Sequence, residues 1–197
     1  MDVFSKSGWI FLVVVVLFSF GMVGLIKDDS FFGLYSFKDQ EFTFYEPSVT
    51  NVYFCPEDAC AQKLIAQINT AEKSIDVAIY SFTNNDVADA LIEAKSRGVE
   101  VRVVFDYLQA SAEYSLDELI EQEGIIIKIR KGSGVMHNKF IVIDGEKVMT
   151  GSYNYSINAD ERNDENLILI LDEVLAGEYT AEFNELWDES KTRSELN

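Results

Sequence analysis

Two hydrophobic regimes divide the chain. The first is a run of 20 residues from Ser7 to Ile26, SGWIFLVVVVLFSFGMVGLI, that carries no charge. As a helix it would extend about 30 Å, the thickness of a bilayer's hydrocarbon core. Trp9 lies near one end, and Lys6 and Lys27 bracket the run, as interfacial anchors do. Residues 7–26 are therefore read as a retained single-pass transmembrane helix. A cleavable signal peptide is the competing reading, but its apolar core is ordinarily shorter and no A-x-A-like site follows. One lysine on each side leaves the membrane orientation open. Residues 28–48 form a connector rich in aromatics, read as an edge strand with its turn in preference to a segment lying on lipid headgroups.

The second regime begins at Val49, where short apolar runs alternate with amphipathic stretches. Strands are predicted over Val49–Phe54, Ser74–Phe82, Val99–Phe105, Ile125–Ile129, Phe140–Ile143, Lys147–Thr150 and Asn166–Leu171. The runs at 125–129 and 140–143 are near-continuous, which predicts strands covered on both faces. Helical spacing over 57–72 puts Ala61, Leu64, Ile65 and Ile68 on one side. Asn85 is the predicted cap of a second helix, and Ser115-Leu116-Asp117-Glu118 reads as a capping box. A last helix turns Leu175, Tyr179, Phe183, Leu186 and Trp187 inward. Asp144-Gly145 is a hairpin turn signal. Strands alternating with helices predict an α/β domain over 49–190, a mixed β-sheet with helices on both faces.

Composition narrows the function. Sixteen basic against 34 acidic residues leave a net charge of −18, which disfavours coating nucleic acid by charge alone but allows a local basic cleft. Cys55, Cys60 and the single histidine are one ligand short of a closed zinc site, and no metal or cofactor is expected. The two cysteines are read as ordinary thiols in preference to a disulfide.

The chemistry gathers between Met136 and Asn166. His137, Lys139, Asp144, Gly151, Ser152 and Asn154 fall in the spacing H-x-K-x4-D-x6-G-S-x-N. A strand followed by a hairpin would return Gly151, Ser152 and Asn154 to where His137 began. An imidazole, an ammonium, a hydroxyl and an amide then converge, a set suited to an anionic tetrahedral centre. Gly151 would permit close backbone approach. His137 is the plausible nucleophile, and Glu165 is the candidate to fix its tautomer. Lys128, Arg130 and Lys131 form either a positive lip that gathers a polyanion or an ordinary solvated loop.

This motif resembles that of the phospholipase D superfamily over roughly residues 50–190. Tyr80-Ser81-Phe82-Thr83, the Gly98–Val104 stretch and Arg162-Asn163-Asp164-Glu165-Asn166 agree with it. The short single-motif members, small bacterial nucleases and the mitochondrial cardiolipin hydrolase branch, are the nearest in form. The resemblance implies a sheet sandwiched by helices and metal-independent phosphodiester cleavage through a phosphohistidine. It makes His137 the nucleophile, Lys139 and Asn154 phosphate ligands, Glu165 the group that orients the imidazole, and Asp144 mainly structural. The N-terminal anchor, and the lack of the four-ligand zinc finger of some members, depart from it.

Double displacement also needs a general acid, and the chain has one histidine. A two-fold homodimer with a shared active site would supply the second. The substrate is then single-stranded nucleic acid, with a cardiolipin-type phospholipid as the alternative and a non-catalytic membrane scaffold as a third reading.

Overall fold

A computed structural model of the chain describes residues 49–196. The anchor read over 7–26 and the connector over 28–48 lie outside the described residues. Among the described residues, no helix is long and apolar enough to cross a membrane.

The elements run β1 (Val49–Cys55), α1 (Cys60–Ile68), β2 (Ser74–Ile79), α2 (Asn85–Ser96), β3 (Glu100–Asp106), α3 (Tyr107–Ala110), α4 (Asp117–Gln122), β4 (Ile126–Arg130), β5 (Lys139–Ile143), β6 (Lys147–Gly151), α5 (Ile157–Glu161), β7 (Glu165–Leu171), α6 (Glu173–Glu189) and α7 (Arg193–Leu196). The strands make one seven-stranded sheet in the order β1-β7-β6-β5-β2-β3-β4. Helical crossovers leave β2, β3 and β4 parallel. The β5–β6 hairpin and its neighbours β7 and β1 are antiparallel, and β2 joins the two halves by pairing antiparallel to β5. The sheet is thus mixed, as the alternating pattern predicts.

Both faces are covered. On one, Leu64 and Ile68 of α1, Val87 and Leu91 of α2 and Ile120 of α4 pack on Ile75, Val77, Val101, Val103 and Ile141. On the other, Ala176 and Phe183 of α6 pack on Ala78, Val104, Phe140, Val142 and Val148. Phe183 is wholly buried, so truncating it to alanine would cost about 3–5 kcal/mol in lost transfer energy and cavity.

Four sequence expectations need correction. β5 is buried along its whole length, but β4 is an edge strand whose burial alternates, with Ile126 50% exposed. Asn84, not Asn85, caps α2: its side chain accepts from the backbone N–H groups of Asp86 and Val87 at 3.0 and 3.3 Å. The Thr83 and Asn84 N–H groups both donate to the Tyr155 carbonyl, which keeps Asn84 extended, as a cap requires. The capping box at Ser115 does not form. Leu116 N–H donates instead to the Phe82 carbonyl at 3.1 Å, the helix starts at Asp117, and the Ser115 hydroxyl is buried without a partner. Finally, Cys55 and Cys60 are disulfide-bonded, with Cα atoms 5.7 Å apart. The turn between them is closed by Asp58 N–H on the Phe54 carbonyl at 2.9 Å, which brings the cysteines within bonding range.

Candidate active site

The site is built at the C-terminal end of β2. Just past that strand, Tyr80 N–H donates to the Asn138 carbonyl at 3.0 Å, and Ser81 N–H donates to Asn154 Oδ1 at 3.3 Å. One short segment therefore holds both halves of the motif. The β5–β6 register, Phe140 opposite Thr150, carried one residue further sets Lys139 opposite Gly151, as the hairpin reading requires.

His137 is exposed, and its ring lies against Tyr80 with centroids 4.5 Å apart. Lys139 is buried to 8% exposure. Its ammonium donates to the His137 carbonyl at 2.7 Å and sits 5.0 Å from the Tyr80 ring centroid. Burial lowers the Lys139 pKa from the ordinary lysine value, and the negative charge of Glu165 opposes that shift without cancelling it. Asn154 spends its carbonyl oxygen on Ser81, which fixes the amide and leaves Nδ2 as the donor to a ligand.

Glu165 is held by Ser152 Oγ and by Asn163 Nδ2, the latter at 3.1 Å. The Ser152 hydroxyl also accepts from Asn166 N–H at 3.1 Å, so Ser152 is committed to the start of β7 and not to a substrate. Within the chain Glu165 thus bonds to Ser152 and Asn163, and its negative charge bears on Lys139. Gly151 has a packing reason: a Cβ there would meet the Asn166 carbonyl oxygen at 2.2 Å. Its close approach is to β7.

Asp144 is structural. Its carboxylate accepts from Lys73 and Ser74 N–H at 2.7 and 3.0 Å and from Glu72 N–H at 3.1 Å. Burial alone would raise its pKa, but these N–H groups, with the charge of Lys147, hold it below the usual value.

The basic triplet divides. Lys128 donates to the Trp187 carbonyl at 2.9 Å and lies over that ring, so it braces α6 and stays outside the site. Arg130 pairs with Glu189 yet lines a cleft of about 330 Å³ together with His137, Met136 and Leu186. Lys131 lies 4.2 Å from the centroid of Tyr107, beside that cleft.

Tyr80, Asn163 and Asp106 belong to the site's framework although spacing alone does not single them out. Asp106, 2% exposed, accepts from Met136 N–H at 2.9 Å while capping α3 through Leu108 and Gln109. It ties down the segment that delivers His137. The signal for it is an acidic residue directly after the apolar run Val103-Val104-Phe105.

Comparison with known proteins agrees with this geometry. A family model described as "Cardiolipin synthase, PLD-like domain" matches residues 64–187. Phospholipase D of Rickettsia prowazekii (strain Madrid E) is 36% identical over 165 residues, 81% of this chain and 78% of the relative. Mitochondrial cardiolipin hydrolase of Xenopus laevis is 33% identical over 138 residues, 68% of this chain and 66% of the relative. Among solved structures, Nuc from Salmonella typhimurium, described as a phospholipase D family member, matches with a TM-score of 0.70 at 32% identity. That match covers 74% of this chain and 97% of Nuc.

Proposed function

The chain belongs to the phospholipase D superfamily, and from that membership we propose that it is a membrane-anchored, metal-independent phosphodiesterase that cleaves single-stranded nucleic acid through a phosphohistidine. The observation that carries the reading is the convergence of His137, Lys139 and the Nδ2 of Asn154 on one end of β2, beside an open cleft. Lys139 neutralises a non-bridging phosphate oxygen and Asn154 donates to another. A ring nitrogen of His137 attacks phosphorus, the P–O bond to the leaving group breaks, and the departing oxygen takes a proton from a second imidazolium. That imidazole, now neutral, removes a proton from water as the water oxygen attacks phosphorus and the P–N bond breaks.

The chain has one histidine, so the second imidazole comes from a second copy in a two-fold homodimer with a shared site. The uncharged run over 7–26 anchors the assembly in a membrane. Arg130 in the cleft and Lys131 beside it suit a polyanionic strand. A cardiolipin-type phospholipid is the second reading, favoured by the anchor and by the hydrolase relative at 33% identity.

Incubating the full chain in detergent with a labelled single-stranded oligonucleotide, and separately with cardiolipin vesicles, tests this, with EDTA present throughout. We expect strand cleavage, and a loss of at least ~10³-fold in His137→Asn. Cleavage of cardiolipin alone would install the phospholipase reading. Dependence on an added divalent ion would overturn the mechanism, and no turnover on either substrate would leave the scaffold.

A further inference from the structure

A second cleft, of about 410 Å³, opens beside the phosphate site and takes no part in the chemistry described above. Its lining includes Thr83, Asn85, Glu113, Tyr114, Leu116 and Ile157. Its position follows from the same paired segments that build the active site. Ser81 N–H holds Asn154 Oδ1 at 3.3 Å. Two residues on, Thr83 N–H donates to the Tyr155 carbonyl at 2.8 Å. Thr83 lies two residues past Ser81 and Ile157 three past Asn154, so the cleft's lining begins within about 7–10 Å of extended backbone of the Ser81–Asn154 pair.

Its chemistry is unlike that of the active site. Tyr114 is 76% exposed and Ile157 is 40% exposed, a display of apolar surface next to a polar centre. Thr83 and Asn85 add a hydroxyl and an amide. No lysine or arginine lines the cleft, and its one charge is the carboxylate of Glu113. A phosphate or an anionic headgroup would be repelled there. An acyl chain would strand the Thr83 hydroxyl and the Asn85 amide without partners. An uncharged, flat heterocycle with hydrogen-bonding edges suits the accessible groups: it stacks on Tyr114 and Ile157 and spends its edge on Asn85 and Thr83.

We propose that this cleft is a subsite for the base of the nucleotide adjacent to the scissile phosphate, an inference that rests on the nucleic-acid reading of the active site. Tyr114 would be its stacking platform.

The test compares the full chain in detergent with Tyr114→Ala and Tyr114→Phe on two substrates. One is a single-stranded oligonucleotide; the other is bis(4-nitrophenyl) phosphate, a diester without a base. The ratio of kcat/KM for the oligonucleotide to that for the small diester should fall about tenfold in Tyr114→Ala, mostly through KM, and hold in Tyr114→Phe. An abasic nucleotide beside the cleaved bond should weaken the unaltered chain by a similar factor and add little in Tyr114→Ala. An unchanged ratio in Tyr114→Ala, with the oligonucleotide still cleaved, would overturn the subsite alone. Turnover of the small diester with no cleavage of any oligonucleotide would remove the nucleic-acid reading, and the subsite with it.

Discussion

Lys139 carries its charge where burial works against it, and that tension sets how the site should respond to pH. The ammonium is buried, and desolvation lowers its pKa while Glu165 raises it. Because the net direction is downward, the cation proposed to neutralise phosphate is lost at a lower pH than an ordinary lysine would be. The alkaline limb of kcat/KM should therefore fall below the usual lysine range. Glu165→Gln removes the charge that opposes the shift, so we expect that limb to move to still lower pH. Gln can keep a hydrogen bond to Ser152 or Asn163, which limits collateral damage. An alkaline limb that stays fixed or moves up in Glu165→Gln would show that Glu165 does not act through Lys139.

The β5–β6 hairpin depends on Asp144 in the same way that the site depends on Lys139, through a single side chain with several bonds. Asp144 and Gly145 have φ of +57° and +71°, the left-handed pair that an Asp-Gly hairpin turn adopts. The carboxylate then clasps the N–H groups of residues 72–74 at the entrance to β2, joining the motif hairpin to the strand that leads into Tyr80 and Ser81. Asp144→Ala should cost about 1–2 kcal/mol in urea unfolding at pH 7, the value of a charge-assisted hydrogen bond discounted for partial exposure. Since its folded pKa is depressed, this contribution is full above about pH 4 and is lost as pH falls through the folded value. The variant should thus lose less stability than the unaltered chain between pH 5 and pH 2; equal losses would argue that Asp144 does not supply the clasp. The turn, all seven strands and the two-faced sheet are legible in the sequence because apolar runs of strand length record burial directly. α3, α5 and α7 span only four or five residues, too few for a helical period to appear. The roles of Lys128 and Arg130 are set by Trp187 and Glu189, 59 residues away, and no local pattern reports such a pairing. The sequence puts Glu165 at the start of the strand after the motif and assigns it to the imidazole. Its partners Ser152 and Asn163 are decided by side-chain direction at the β6–β7 junction, which spacing does not encode.

Two facts about the entire chain pull against each other when copies meet. A single histidine calls for pairing, whereas a net charge of −18 makes two copies repel. Salt screens that repulsion within a Debye length of about 8 Å at 0.15 M, so association of the full chain in detergent should strengthen as ionic strength rises from low values. The functional consequence is sharper than the mass. If one phosphodiester is handled by two imidazoles, one from each copy, a pair that contains a His137→Asn chain lacks either the nucleophile or the proton donor. Assembly is random when the two chains are co-expressed with different tags, and fully competent pairs then form as the square of the unaltered fraction. At equal expression the activity should be about one quarter of that given by unaltered chain alone at the same total concentration. Independent sites would give about one half, and so would a monomer that uses a carboxylate as its acid. Isolating the mixed pair through both tags sharpens the contrast: a shared site predicts that this fraction is nearly inert, and half-activity in it would put a complete catalytic set within each chain.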